Sequence, residues 1–397
     1  MQIYIKNTRM IPRLLGDSLR ECIRYFPAIY VGGPRQSGKT TLLRGTFPTL
    51  PYANLEDPDV RMFAETDPRG FLASFPAGAV LDEAQRVPHL FSYLQHVLDS
   101  NPQLRFVLSG SQNFLLMEKI TQSLAGRVGI LNLLPLGFEE LPVETSGGLS
   151  ALQWAWQGGF PVLYDRGSPP HLVFPNYVET YLQRDVRLLQ NVGDLNRFNR
   201  FVRLAAGRSG QLLELSSLAR DADVSVNTVK SWLSVLEASY LVIFLQPYFE
   251  RYNKRLIKSP KLYFTDTGLL CYLLNITSPD ELRTHYFYGN IMETMLLMEW
   301  YKKSTHRGQR PRFWFWRDSN GNEIDLLIEE AGGLRAIEFK ASQTFNSRHF
   351  SGLAWWQKVS GTKPEACSVV YLGEQAFQTG QGALIPWRDA LLPDPRT

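Results

Sequence analysis

In the run GGPRQSGKTTLL, residues 32–43, a lysine and a threonine follow directly on Gly38, with a second glycine at position 33. The order Gly33-x-x-x-x-Gly38-Lys39-Thr40 is what a phosphate-wrapping loop needs. The glycines let backbone N–H groups turn inward, and the helix starting behind them aims its positive end at the anion. Lys39 reaches the outer phosphate oxygens and Thr40 offers a hydroxyl to Mg²⁺. Gly33, Pro34, Arg35, Gln36, Ser37, Gly38, Lys39, Thr40 and Thr41 are therefore the expected residues for binding a nucleoside triphosphate, taken as ATP, with Mg²⁺.

That chemistry asks for one carboxylate in the metal shell and a second to polarise water. Val80-Leu81-Asp82-Glu83 ends an apolar run on two acids, which makes Asp82 the expected metal ligand beside Thr40 and Glu83 the expected general base. Phe106-Val-Leu-Ser109-Gly110-Ser111-Gln112 puts the Ser111 hydroxyl at the end of a further strand, as a sensor of the γ-phosphate or as a helix cap. Arg127, in Leu124-Ala-Gly-Arg127-Val, is the expected cation for charge that builds up in the transition state, in its own subunit or a neighbour's. An ordinary ion pair is the alternative.

Such groups must be held at one edge of a parallel sheet, and the first part of the chain is written that way. Ala28–Val31, Ala79–Leu81 and Arg105–Leu108 are strand-like, with helix-like Lys39–Arg44 and Leu90–Leu98 between them. Leu141-Pro-Val-Glu-Thr-Ser-Gly-Gly148 punctuates like a linker, the pattern turns helical over about 176–240, and strands return near Tyr288. The 397 residues, 44% hydrophobic and 20% charged, suit two or three globular domains. The net charge of +4 leans toward an anionic partner without deciding one. Three cysteines exclude a disulfide framework or a zinc site, and MQIYIKNTRMIPRLLGDS has no apolar segment behind its basic residues to act as a signal or anchor. With no run long enough for a bilayer, no membrane association and a cytoplasmic location are expected.

The ordered motifs GPRQSGKTTLL, VLDEAQ, SGSQ, LAGRV and LPLGFEEL resemble those of the prokaryotic AAA+-type ATPases, with an AAA_14-like P-loop domain and a C-terminal DUF4143 domain. The resemblance continues through Gly158-Gly-Phe-Pro161, Tyr181-Leu-Gln-Arg-Asp185, Lys258-Ser-Pro-Lys-Leu-Tyr-Phe-Thr-Asp-Thr-Gly268 and the EIDLL/IEFK pair. It implies an ATPase core at 1–145.

The middle block, 150–285, outlines a winged helix. Ser216 or Ser217 would cap one short helix and Ser225 the next, which buries Val226, Val229, Leu233 and Leu236 and turns Asn227, Lys230, Ser231 and Ser234 outward. A basic loop with Arg251, Lys254, Arg255, Lys258 and Lys261 follows, suited to phosphate contacts, so DNA is a candidate partner.

In the last block, 286–397, Glu323-Ile-Asp325 and Glu338-Phe-Lys340 alternate as strands. Pairing about Ala331-Gly-Gly333 would set Asp325 opposite Glu338 and Glu323 opposite Lys340. Two acids and a lysine would then share a patch able to hold Mg²⁺ or Mn²⁺. The pattern resembles the restriction-endonuclease-like fold, a small α+β domain, with Glu293 as an added acid. The expected fold class is thus α/β: a P-loop sheet, a helical and winged-helix block, and a restriction-endonuclease-like domain. The expected function is an ATP-hydrolysing switch that repositions a nuclease-like arm on DNA. The alternative is a nucleotide-controlled interaction scaffold, with an inactive C-terminal domain. A homo-oligomer is a candidate assembly in either case.

Overall fold

Apolar runs too short to be helices and buried on both faces are strands of a covered sheet. Ala28–Gly32 (β1), Tyr52–Asn54 (β2), Gly78–Asp82 (β3), Arg105–Gly110 (β4) and Val128–Asn132 (β5) form one parallel sheet in the order β2-β3-β4-β1-β5. One face packs on Leu15, Leu19, Leu42 and Leu43 of the helices Leu15–Tyr25 and Lys39–Thr46; the other packs on Phe71, Leu90, Phe91 and Leu94. All strands run the same way, so their carboxyl ends gather the phosphate loop, Asp82 and Ser111 at one edge.

The computed structural model describes residues 11–111, 124–182, 195–248 and 258–392. Residues 1–10 of the N-terminal stretch, Gln112, the Gln183-Arg184-Asp185 portion of the tyrosine motif, and Arg251, Lys254 and Arg255 of the basic loop lie outside the described residues. No helix among the described residues is long and apolar enough to cross a membrane.

The segment expected as a linker is instead a short helix, Val143–Ser146, and helices continue at Ala151–Gln157, Pro161–Asp165 and Pro170–Tyr177, earlier than the sequence pattern suggests. Behind them come the helix Leu195–Ala206, strand β6 (Gln211–Leu212), helices Leu215–Ala222 and Val226–Ala238, and strands β7 (Val242–Leu245) and β8 (Lys261–Phe264). The three strands pair antiparallel in the order β6-β8-β7. Ser225 caps the second helix through Thr228 N–H at 3.1 Å, as expected. The first helix starts after Glu214 without a side-chain cap, so neither Ser216 nor Ser217 serves there. Asn227, Lys230 and Ser234 face outward and Ser231 is half-buried. The motifs Gly158-Gly and Thr265-Asp266 meet: Asp266 Oδ2 accepts from Gly159 N–H at 2.7 Å while Oδ1 caps the helix Thr267–Leu273.

The last block places the helix Tyr288–His306 beside a six-stranded sheet, β13-β14-β12-β11-β10-β9, built from β9 (Phe313–Arg317), β10 (Glu323–Glu330), β11 (Gly333–Lys340), β12 (Cys367–Tyr371), β13 (Phe377–Thr379) and β14 (Gly382–Pro386). Strands β9 to β11 are antiparallel; β12 joins β11 in parallel, with the helix Ser351–Ser360 in the connection. The β10–β11 register pairs Leu326 with Ile337, the pairing expected from the turn. A single apolar cluster runs through the middle and last blocks, including Phe138, Trp154, Leu236, Tyr263, Leu296 and Ile337, so these two regions share one core.

Candidate functional site

The phosphate loop leaves β1 and turns into the helix Lys39–Thr46 through Gly38, whose φ of +93° an L side chain rarely adopts. At Gly33 the neighbouring backbone leaves no room: an added Cβ would lie 2.1 Å from the Leu133 carbonyl oxygen. Lys39 Nζ donates to the carbonyls of Gly33 at 2.9 Å and Pro34 at 2.8 Å, which folds its ammonium over the loop. Burial pulls that ammonium down to about 8, against the opposing pull of Glu83 and Asp82.

Across the loop, Thr40 Oγ1 donates to Asp82 Oδ2 at 2.5 Å, and the Tyr52 hydroxyl donates to the same oxygen at 2.7 Å. Ser109 Oγ contacts Asp82 Oδ1. The two groups expected to share a metal shell are therefore brought together, and Tyr52 and Ser109, which the sequence did not single out, fix the carboxylate between them. Glu83 follows with φ +55°, a strained backbone for a non-glycine residue. Its Oε2 accepts from Gln85 Nε2 at 2.5 Å and from Ser111 Oγ at 3.4 Å, so Ser111 lies beside the expected base.

Lys39, Thr40, Thr41 and Glu83 line a cleft of about 580 Å³ whose far wall is Pro161, Asp165, Arg166 and Tyr181 of the middle block. Arg35 spans it, its guanidinium near Glu56 at 3.4 Å and over the Tyr181 ring. The residues fit a magnesium-bound triphosphate. Ser37 Oγ is fully buried with no hydrogen-bond partner among the described residues, Gly33 and Gly38 keep the cradle open, and Thr40 and Asp82 present hard oxygen donors side by side.

Arg127 is not in this cleft. It precedes β5, and its carbonyl accepts from Ala28 N–H at the amino end of β1, whereas the phosphate loop leaves the carboxyl end. A whole strand separates them, on the order of 15 Å at about 3.3 Å per residue. Its guanidinium forks onto Asp99 at 2.5 and 3.1 Å, so the ion-pair alternative is the one observed within this chain.

A second group of charges ties the loop to the rest of the molecule. Arg13 Nη1 donates to the Ser37 carbonyl at 2.7 Å, Nη2 to the Leu134 carbonyl at 2.8 Å, and Nε to Glu140 Oε1 at 3.0 Å. Glu140 Oε2 is 2.9 Å from His306 Nδ1, at the end of the helix Tyr288–His306, and also accepts from Gly137 N–H. His306 Nε2 accepts from Leu134 N–H at 3.2 Å, so the ring is the neutral tautomer with its proton on Nδ1. Burial, working against Glu140, lowers its pKa and agrees with that state. Arg307 forks onto Glu139 at 2.9 and 3.0 Å, and Glu299 Oε2 accepts from Phe138 N–H at 2.6 Å. None of Arg13, Glu140 and His306 was apparent as functional from the sequence; Glu139-Glu140 in LPLGFEEL was the only signal.

In the last block, Glu293, Asp325, Glu338 and Lys340 lie on one patch, and the side chains of Lys340 and Glu323 do not pair with each other. Lys340 Nζ bonds Glu338 Oε2 on its own strand at 2.6 Å, and Glu323 turns to Arg317 at 2.8 Å and to Lys261. Lys261 Nζ is also 2.9 Å from Glu293 Oε1 and 4.0 Å from Asp325 Oδ1. Asp325 Oδ2 accepts from Phe339 N–H at 2.8 Å and Glu293 Oε1 from the Tyr263 hydroxyl at 2.6 Å. Among the described residues, no group of three or more His, Cys, Asp or Glu is placed to hold a metal ion, so the expected second metal site is not shown. Lys261, counted among the basic residues suited to phosphate contacts, starts β8 with only 2% of its surface exposed and enters the acids.

Residues 25–142 match the AAA domain, residues 150–280 a domain of unknown function (DUF8612) and residues 288–390 a domain of unknown function (DUF4143). Uncharacterised proteins of Mycobacterium bovis and Mycobacterium tuberculosis are each 31% identical to this chain over 332 residues, covering 82% of this chain and 73% of the relative. Among solved structures, similarity is found to the Walker-type ATPase of Pyrococcus abyssi, at 16% identity over 68% of this chain and 99% of that one, with a TM-score of 0.43. AMPPCP-bound DnaA from Aquifex aeolicus matches at 13% identity over 56% and 86%, with a TM-score of 0.28.

Burial, then Asp325, pushes the Glu338 carboxyl up to about 8, against Lys340. An acid whose folded pKa exceeds its unfolded value favours the fold at low pH, and that contribution is lost as pH rises through the folded value. Thermal stability should therefore fall between pH 5 and 8 through this group. Glu338→Gln should flatten that fall, as followed by melting temperature across the range; an unchanged slope would mean that Glu338 ionises normally.

Proposed function

This chain belongs to one family with the two mycobacterial proteins, and from that premise and its AAA domain we propose that it is an ATP-hydrolysing switch whose nucleotide state is passed to the two blocks behind the sheet. The observation that carries this reading is Arg13, which holds the Ser37 carbonyl of the phosphate loop with one nitrogen and the Glu140–His306 pair with another. A change in the loop on gaining or losing a γ-phosphate has a hydrogen-bonded path to the helix Tyr288–His306.

Lys39 and the loop N–H groups would bind and orient the phosphates. Thr40 and Asp82 are the groups that would hold Mg²⁺, which supplies positive charge to phosphate oxygens when bound. Glu83 would accept the proton of the attacking water, oriented by Gln85 and Ser111. The wall carrying Arg166 and Tyr181 closes the cleft from the middle block, so hydrolysis and the position of that block are linked.

The middle block reads best as a winged helix: helix, strand, two helices and two strands, with the first strand next to the last, support it. Its outward Asn227, Lys230 and Ser234 favour DNA as the partner. The order helix, three antiparallel strands, helix and a parallel fourth strand supports a restriction-endonuclease-like last block.

Lys39→Ala should abolish ATP binding and turnover. Glu83→Gln should leave ATP affinity within a few-fold while lowering kcat by about 10²–10⁴-fold, the usual contribution of a positioned base. Turnover at the normal rate in Glu83→Gln would remove it from the mechanism. If DNA is the partner, duplex DNA should raise ATP turnover, and binding should weaken steeply with salt, with a smaller slope after Lys254→Ala with Arg255→Ala. Turnover indifferent to DNA, with particle size changing only on ATP addition, would favour the scaffold alternative.

A further inference from the structure

A dense group of ionisable side chains outside the nucleotide cleft lies where β8 of the middle block meets the last block's sheet. Glu293 comes from the helix Tyr288–His306, Glu323 and Asp325 from β10, and Glu338 with Lys340 from β11. A restriction-endonuclease-like centre would place a divalent cation among these acids, held by oxygens at about 2.0–2.6 Å. The residues present do not fit one. Lys261 Nζ sits within hydrogen-bond reach of Glu293 and Glu323 and 4.0 Å from Asp325, so its ammonium lies among the three carboxylates. An ammonium and a divalent cation cannot share that space, because like charges a few ångströms apart in a buried site repel strongly.

Several of the carboxylate oxygens have further partners. Glu323 Oε2 accepts from Arg317, Asp325 Oδ2 from Phe339 N–H, and Glu293 Oε1 from the Tyr263 hydroxyl as well as from Lys261. Phe315 closes one side, its ring 5.7 Å from Nζ. Burial pulls the Lys261 ammonium down, but Glu293, Tyr263, Glu323 and Asp325 more than offset this and hold it well above its ordinary value, so it is charged at neutral pH.

We infer that Lys261 is a built-in cation that takes the metal's position, so that this acid cluster is an ionic lock between the middle and last blocks and not a metal-dependent hydrolytic centre. The comparison with a metal centre rests on the restriction-endonuclease-like reading; the lock itself rests on the contacts of Lys261. Three acids from two elements of the last block converge on one lysine of a β strand in the middle block, which no surface ion pair requires. Removal of the lysine leaves the partly buried Glu293 and Asp325 without their ion-pair partner, the situation in which a site will take up a metal ion.

The test uses the full chain, free of nucleotide and carrying Lys39→Ala, with Mn²⁺ as the probe followed by its electron paramagnetic resonance signal. The parent should bind no Mn²⁺ at these acids, and Lys261→Met should gain one site, at least 10-fold tighter than any in the parent and lost again on adding Asp325→Asn. A Mn²⁺ site in the parent that Asp325→Asn removes overturns the inference while leaving the fold reading intact. A folded Lys261→Met chain that takes up no Mn²⁺ also overturns it, since the acids would then lack the geometry of a metal site. Should Lys261→Met not fold, reductive methylation of the wild-type chain decides: Lys261 should stay unmodified with and without 10 mM Mn²⁺, and methylation that appears only with Mn²⁺ would show the metal displacing it.

Discussion

A carboxylate with 7% of its surface exposed, Glu140, is the constraint around which the rest is arranged. Burying a charge is costly unless opposite charge and hydrogen bonds surround it, and removing one partner of such a pair typically costs about 3–5 kcal/mol. Glu140 accepts from Arg13, His306, Leu14 N–H and Gly137 N–H, which together satisfy both oxygens. Burial alone would raise its pKa, yet His306 and Arg13 outweigh burial and hold the carboxyl well below its ordinary value. Its contribution is thus present above the ordinary carboxylate range and lost as acid protonates it. Because the other Arg13 donors reach Ser37 and Leu134, the same anion fixes the phosphate loop, the segment that follows β5 and the helix Tyr288–His306.

The two ionic centres divide the work. Arg13, Glu140 and His306 connect the nucleotide loop to the end of the helix Tyr288–His306, and Lys261 connects β8 to the acids at the other end of that helix, at Glu293. Between them lies one apolar core common to both rear blocks. A displacement at the loop would therefore reach a helix that is pinned at both ends, and the middle block would feel it through β8 and through the cleft wall at Arg166 and Tyr181.

How much of this could be read from the sequence follows from how local each feature is. Gly33 to Thr40 carry their chemistry within eight consecutive residues, and the β10–β11 hairpin register follows from period-two alternation about a glycine turn, so both were legible. Asp82 was legible as the acid ending an apolar strand, but Tyr52 and Ser109, which hold it, were not, because sheet order is set by packing and not by neighbouring residues. Arg127 lies before β5, at the far end of a strand from its own chain's cleft, a placement that residue type and sequence order do not give. The ion pairs within the acid patch were not legible: Lys340 bonds Glu338 two residues away on its own strand, and Glu323 is met by Lys261 from another block. Arg13 and Glu140 are separated by 127 positions, a distance over which no pattern in the chain pairs them.

The most direct measurement of the central claim is hydrogen exchange along the helix Tyr288–His306, with and without a non-hydrolysable ATP analogue. ATP-state binding should change protection near His306 as well as at residues 33–40, and Glu140→Gln should abolish the change at the helix while leaving that at the loop. Exchange altered at the loop alone in the wild-type chain would show that the buried carboxylate is structural scaffolding and carries no signal between the nucleotide and the blocks behind it.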